Sequence, residues 1–154
     1  MATASKLRLL KDVLKALTDG PGFDRVVSTL NVVSSGGGKC LCEMKVEENH
    51  QNRGGTLHGG VTATLVDVVS TLNLIGEKEV AGVSVDLNVT YLKGAKAGDE
   101  LQVESSLLRA GRSMAFLSVD IRNKETGLLI AQGRHTKHLG AGIIEKSNSS
   151  TPQG

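Results

Sequence analysis

The chain has 154 residues and a formal net charge of +2, enough for one domain with a core of its own and too weakly basic for electrostatic nucleic-acid binding. Two Phe, one Tyr and no Trp mean that the core must be built from Val, Leu, Ile and Ala. Glycine and polar residues interrupt every long apolar run, so neither an integral membrane span nor a secretory segment is expected.

Leu7, Leu10, Val13, Leu14 and Leu17 recur at helical spacing and predict a helix over residues 5–18, stopped by Asp19-Gly20-Pro21-Gly22. Its Lys6, Arg8, Lys11 and Lys15 suit either a mitochondrial address or a helix docked on the domain, and Asp12 and Asp19 favour docking. Residues 26–33 are β-branched and read as a strand, with a turn over residues 34–38. Residues 39–46 alternate, placing Cys40, Cys42, Met44 and Val46 on one face. Cysteines side by side on a strand read as reduced core residues, which points to a reducing compartment, cytoplasmic or also mitochondrial.

Residues 49–57 are polar and loop-like. From Gly59 to Ile75 almost every residue is apolar or small, and the length selects a helix over a strand. With no polar face it must be buried on nearly every side, and Gly76 is the expected C-cap. Val83, Val85, Leu87, Val89 and Tyr91 then alternate with Ser84, Asp86, Asn88 and Thr90. Further strands follow over residues 101–109, 114–123 and 128–139, and the turn spacing predicts an antiparallel meander. The plan is α+β: an N-terminal helix over 1–20, a domain over 23–140 and a disordered tail over 141–154. In the domain one antiparallel sheet curls around one long helix. The outer face and edges of such a sheet invite a second copy.

Asp67 is the only charge between His58 and Glu77. A lone carboxylate in an oily helix is costly unless it is paired or functional. Capping a nearby loop is one explanation. The other is a desolvated general base or nucleophile. The run Gly54-Gly55-Thr56-Leu57-His58-Gly59-Gly60 sits where loop becomes helix, and unpaired helix-start amides there can hold an oxygen that gains negative charge. His58 and Asp67 lie nine residues apart, about 13 Å along a helix. One chain cannot bring both to one carbonyl, whereas two antiparallel copies can.

Residues 52–60 (Asn52-Arg53-Gly54-Gly55-Thr56-Leu57-His58-Gly59-Gly60), followed by Asp67, resemble the motif of hotdog-fold thioesterases of the phenylacetic-acid-degradation type. Gly82-Val83-Ser84-Val85-Asp86, Ala115-Phe116 and Gly133-Arg134-His135-Thr136-Lys137-His138 extend the resemblance over residues 7–140. It implies a hotdog fold, acyl-CoA as substrate, no cofactor or metal, and homodimers assembled into a homotetramer. It further implies that the Gly59 N–H polarises the thioester carbonyl, that His58 and Asn52 shape that end of the site, and that Ser84 orients a water. Asp67 of the neighbouring subunit would activate that water or attack directly. Coenzyme A would be held by Ser84, Asp86, Tyr91, Lys96, Arg109, Gly111, Arg112, Ser113 and His138. Arg109, Arg112, Arg134 and Lys137 are the cations available near turns and strand ends.

Gly36-Gly37-Gly38-Lys39 is followed by a strand, so it is not a phosphate loop. His135 and His138 point to opposite strand faces and make a poor zinc chelate. No Gly-x-Ser-x-Gly elbow is present. The aliphatic composition leans to medium- or long-chain acyl groups. A non-catalytic acyl-CoA binder or scaffold and a hotdog enoyl-CoA hydratase are the competing functions.

Overall fold

The computed structural model describes residues 3–140, so the tail expected at 141–154 lies outside the described residues. Helix α1, Thr3–Asp19, buries Leu10, Leu14 and Thr18 and exposes Arg8, Lys11 and Lys15. Lys6 reaches across to Glu77 at 3.3 Å, so α1 is docked.

The strand expected over residues 26–33 forms only in its second half. Phe23–Val27 is a 3-10 turn, and strand β1 spans Asn31–Gly36. Local β-branched propensity loses to packing here. Val27 is fully buried, and the Leu30 N–H turns back to its carbonyl at 3.0 Å. β1 runs on through Ser34 and Ser35, so the turn is tighter than expected. Gly37 and Gly38, at φ 61° and 78°, make the hairpin to β2, Lys39–Lys45, in the left-handed region that such turns require. Cys40, Cys42 and Met44 face inward as expected.

Residues 49–57 are mostly loop, opened by a 3-10 turn at Glu48–His50. Helix α2, Gly59–Lys78, runs past Gly76 and is capped by Glu79 in the left-handed conformation, φ 59°. Gly76 is a packing glycine rather than a cap: a Cβ there would stand 3.1 Å from Ser35 Oγ and 3.3 Å from Leu10 Cδ1. The fully buried Asn73 donates to the Gly38 carbonyl at 3.0 Å and to Ser105 Oγ at 3.2 Å, tying α2 to the hairpin and the sheet. Burial is not complete all round. Ala63, Asp67 and Thr71, four residues apart, form a half-exposed stripe.

Strands β3 (Val83–Tyr91), β4 (Glu100–Ala110), β5 (Met114–Asn123) and β6 (Leu129–His138) complete an antiparallel sheet of order β1-β2-β4-β5-β6-β3. The meander is therefore β4-β5-β6 alone. β3 pairs with β6 at the far edge, because β2 and β5 occupy both sides of β4 and the long connection over residues 92–99 is no hairpin. The sheet wraps α2, which has the length and composition of a membrane span and is buried as a core helix. This is the expected hotdog architecture.

Two features position the site. On β6, a Cβ at Gly133 would lie 2.6 Å from both methyls of Val66, so only glycine lets α2 lie this close to the strand. At the open edge, β3 is exposed along most of its length, with Val85 58% and Tyr91 57% accessible.

Candidate active site

The loop before α2 is organised by its own polar side chains. His50, fully buried, accepts the Glu47 N–H on Nδ1 at 2.9 Å and therefore donates from Nε2 to the Val26 carbonyl at 2.8 Å. Its carbonyl then takes the His58 N–H at 2.8 Å. Asn52 Oδ1 accepts from the amides of Gly54 and Thr56 at 2.9 and 3.2 Å, and its Nδ2 donates to Thr56 Oγ1 at 3.0 Å. Asn52 thus shapes the helix approach by holding the loop.

His58 is the N-cap of α2, its Nδ1 accepting the Gly60 N–H at 2.8 Å. Gly60 has to be glycine for this ring position, since a Cβ would meet Nδ1 at 2.9 Å. The amides of Val61 and Thr62 go to the His58 carbonyl at 2.9 and 3.1 Å. The cap thus claims the amides of 60, 61 and 62 and leaves that of Gly59 without a hydrogen-bond partner among the described residues, at the positive end of the helix. Tyr91, from the end of β3, donates to the Gly59 carbonyl at 2.8 Å and packs its ring on the Gly59 Cα.

Asp67 occupies the middle of the open stripe. The expectation of a desolvated carboxylate is corrected within one chain: its side chain is 49% exposed, because β3 and β6 cover α2 on one side only. The groups around it are polar and closely linked. Ser70 Oγ donates to the Asp67 carbonyl at 3.0 Å, so it accepts from His135 Nδ1–H at 2.7 Å. His135 Nε2 is then the acceptor for the Ser84 hydroxyl, also at 2.7 Å. Burial foremost, and then the Lys137 cation, push His135 below the ordinary imidazole range, against the pull of Asp67 and Asp86. The ring is therefore neutral, with its Nδ1 3.8 Å from Asp67 Oδ1. Because the Ser84 hydroxyl gives its proton to His135, its oxygen keeps lone pairs that can accept from a water.

Lys137 completes the surroundings. It is buried, its Nζ donates to Thr71 Oγ1 at 2.6 Å, and Thr71 Oγ1 lies 3.5 Å from Asp67 Oδ1. Burial pushes its amine down, with Asp67 pulling the other way. Lys137 faces inward and is not a surface cation at a strand end. His135, Ser70, Thr71 and Lys137 did not emerge from sequence reasoning as members of this cluster. The pattern that marks two of them is Gly133-x-His135-x-Lys137, which by strand alternation shares one face.

The remaining candidates divide into two groups at opposite ends of β3. Tyr91 and Lys96 stand by the start of α2, where Lys96 bridges to Thr56 and lines a cleft of about 260 Å³ with Lys93 and Gly94. Arg109, Gly111, Arg112 and Ser113 lie at the β4–β5 hairpin. The Ser113 carbonyl accepts the Leu139 N–H at 2.8 Å, and His138 pairs with Met114 and Val83, beside Ser84. Asp86 is exposed there and takes a 3.3 Å hydrogen bond from Asn88. Nine residues of β3 span about 30 Å, so one chain does not gather both groups. A separate acidic cleft of about 530 Å³, lined by Glu43, Asp99, Glu100, Lys124 and Glu125 among others, holds none of the candidates.

Comparison with known proteins bears on this geometry. The family model described as Thioesterase superfamily matches residues 54–130. Acyl-coenzyme A thioesterase 13 of Mus musculus is 53% identical over 138 residues, 89% of this chain and 99% of that protein. The crystal structure of zebra fish thioesterase superfamily member 2 superposes with a TM-score of 0.84 at 55% identity, covering 87% of this chain and 98% of that one. A hypothetical thioesterase of Streptococcus pneumoniae solved with coenzyme A gives 0.68 at 28% identity, over 72% and 88%. A helix start with an unpaired amide, an open-sided carboxylate and these likenesses together place the chain in the thioesterase superfamily.

Proposed function

We infer that the chain is an acyl-CoA thioesterase that hydrolyses medium- and long-chain fatty acyl-CoA to fatty acid and coenzyme A in a site shared by two subunits. The observation that carries this reading is the division of the site. Asp67, Ser84 and the Arg109–Ser113 hairpin lie at one end, and the Gly59 amide, Tyr91 and Lys96 at the other. Eight residues separate Gly59 from Asp67, about 12 Å along a helix. A two-fold pairing with the β3 strands antiparallel brings one chain's Asp67 end to its partner's Gly59 end. It also covers the exposed β3 edge. A pair of such dimers forms the tetramer.

In the joined site the Gly59 N–H and the helix dipole hold the thioester oxygen as it becomes negative. Ser84 accepts a hydrogen bond from the attacking water, and Asp67 takes its proton. Hydroxide adds to the carbonyl carbon, and collapse of the tetrahedral intermediate breaks the C–S bond and releases the coenzyme A thiolate. Lys93 and Lys96 on one subunit and Arg109 and Arg112 on the other supply cations for the phosphates. The mouse acyl-coenzyme A thioesterase 13 and the Streptococcus pneumoniae thioesterase solved with coenzyme A support the substrate class. Buried, free Cys40 and Cys42 suit the reducing cytosol or mitochondrion.

The test is thiol release from a chain-length panel of acyl-CoAs by the parent and Asp67→Asn. The variant is expected to lose at least about a hundredfold in turnover, the contribution typical of a general base. Saturable acyl-CoA binding without thiol release by the parent would make the chain a binding protein instead.

A further inference from the structure

The hydrolysis uses Asp67 and Ser84 and gives Lys137 no task. Its position is unusual for a lysine. It is 4% exposed, and lysines are almost never buried unless paired. It is the one lysine or arginine buried among the described residues. Strand alternation aims it at α2 together with Gly133 and His135, so its amine does not reach a phosphate in solvent. Instead Nζ donates to Thr71 Oγ1 at 2.6 Å, and that hydroxyl donates to Asp67 Oδ1 at 3.5 Å. Thr71 stands one helical turn beyond Asp67 on the same open stripe. A flexible aspartate half in solvent is thereby tethered from the protein side. Thr71 and His135 both approach the carboxylate at Oδ1, which leaves Oδ2 without a hydrogen-bond partner among the described residues.

We propose that Lys137 is a positioning residue for the hydrolytic carboxylate: by gripping Thr71 it pins Asp67 through Oδ1 and presents Oδ2 to the water. This rests on the reading of Asp67 as the group that activates water. The lysine stands in the interior because its charge holds the hydroxyl that reaches the carboxylate. An amine that can only donate occupies a lone pair of the threonine oxygen and leaves its proton available to the carboxylate.

Steady-state kinetics of Lys137→Met, Thr71→Val, Thr71→Ser and Asp67→Asn, with melting temperatures, test the proposal. Lys137→Met and Thr71→Val are expected to lower kcat about 10- to 100-fold, the scale of a misplaced catalytic group, and to leave KM for acyl-CoA unchanged. The double variant should be no slower than either single one, since both break the same chain of contacts. Thr71→Ser keeps the hydroxyl and should restore parental kcat. Lys137→Met should melt at or above the parental temperature, because methionine fills the same space without a buried charge. Parental kcat in both Lys137→Met and Thr71→Val, with Asp67→Asn inactive, would overturn the proposal and leave the hydrolase reading standing. So would a change confined to KM, which would return Lys137 to coenzyme A binding. Full turnover in Asp67→Asn would overturn both.

Discussion

Replacing Gly133 by alanine probes how closely α2 must lie on β6. The new Cβ would sit 2.6 Å from Cγ1 and Cγ2 of Val66, whereas carbon atoms pack at about 3.5–4.0 Å. Roughly 1 Å must therefore be found, set by that contact distance. β6 is hydrogen-bonded on both sides, to β5 and β3, so the helix is the element that yields. Overpacking of this kind costs about 1–3 kcal/mol. Val66 precedes Asp67, and Gly133 lies two residues before His135, so the displacement falls on the carboxylate and its polar support. A shift of about 1 Å is expected to slow turnover on the order of a hundredfold. Urea melts report the first loss and thiol release the second. Val66→Ala in the Gly133→Ala background removes both methyls and should recover activity, although Val66→Ala alone loses stability by about 2 kcal/mol through its cavity. The signature is thus opposition between the two changes. Parental stability and rate in Gly133→Ala, or a double variant that merely sums the two losses, would refute the reasoning.

Two further outcomes follow from the site. His135 is held neutral below the ordinary imidazole value of 6.5, so the unfolded chain takes up this proton first as pH falls. Its contribution to stability is complete above about pH 6.5 and is lost as pH drops through the lower folded value, which urea midpoints measured from neutral to mildly acidic pH should show; a His135→Asn variant with the same slope would remove the assignment. Gly59→Ala keeps the N–H but sets a Cβ 3.3 Å from Tyr91 Oη, crowding the amide; where that variant is inactive alone, mixing it with Asp67→Asn chains by joint refolding should recover about a quarter of parental activity, because half of the dimers are mixed and each carries one intact site. No recovery, with mixed dimers shown to form, would mean that each site lies within one chain.

How far the fold was legible depends on which forces act locally. α2 could be placed from its length and composition, and the Cys40-x-Cys42-x-Met44 strand from its alternation. The strand over residues 26–33 could not, because Val27 is pulled into a 3-10 turn by the need to cover the core beneath α1, a tertiary demand invisible to propensity. Gly76 reads as a stop and is instead a contact surface for Leu10 and Ser35; the actual stop, Glu79, has no special preference for a left-handed backbone. At the site, Asp67 stood out as an isolated charge, and the glycines around His58 marked the helix start. His135 and Lys137 were hidden because their partners, Ser70, Ser84 and Thr71, come from elements far away in sequence and are brought in by the packing of α2 on β6 and the pairing of β3 with β6.

The oily length of α2 has a consequence for how the protein is made. During synthesis it leaves the ribosome before β3, β4, β5 and β6 exist to cover it, and in that interval it is a segment of membrane-spanning size. The translocation machinery reads composition, and a carboxylate near the middle of such a segment opposes insertion by about 3 kcal/mol. Thr62, Thr64, Ser70 and Asn73 add to that resistance. The aspartate assigned to hydrolysis is thus also the charge nearest the middle of α2, where insertion of such a segment is most costly.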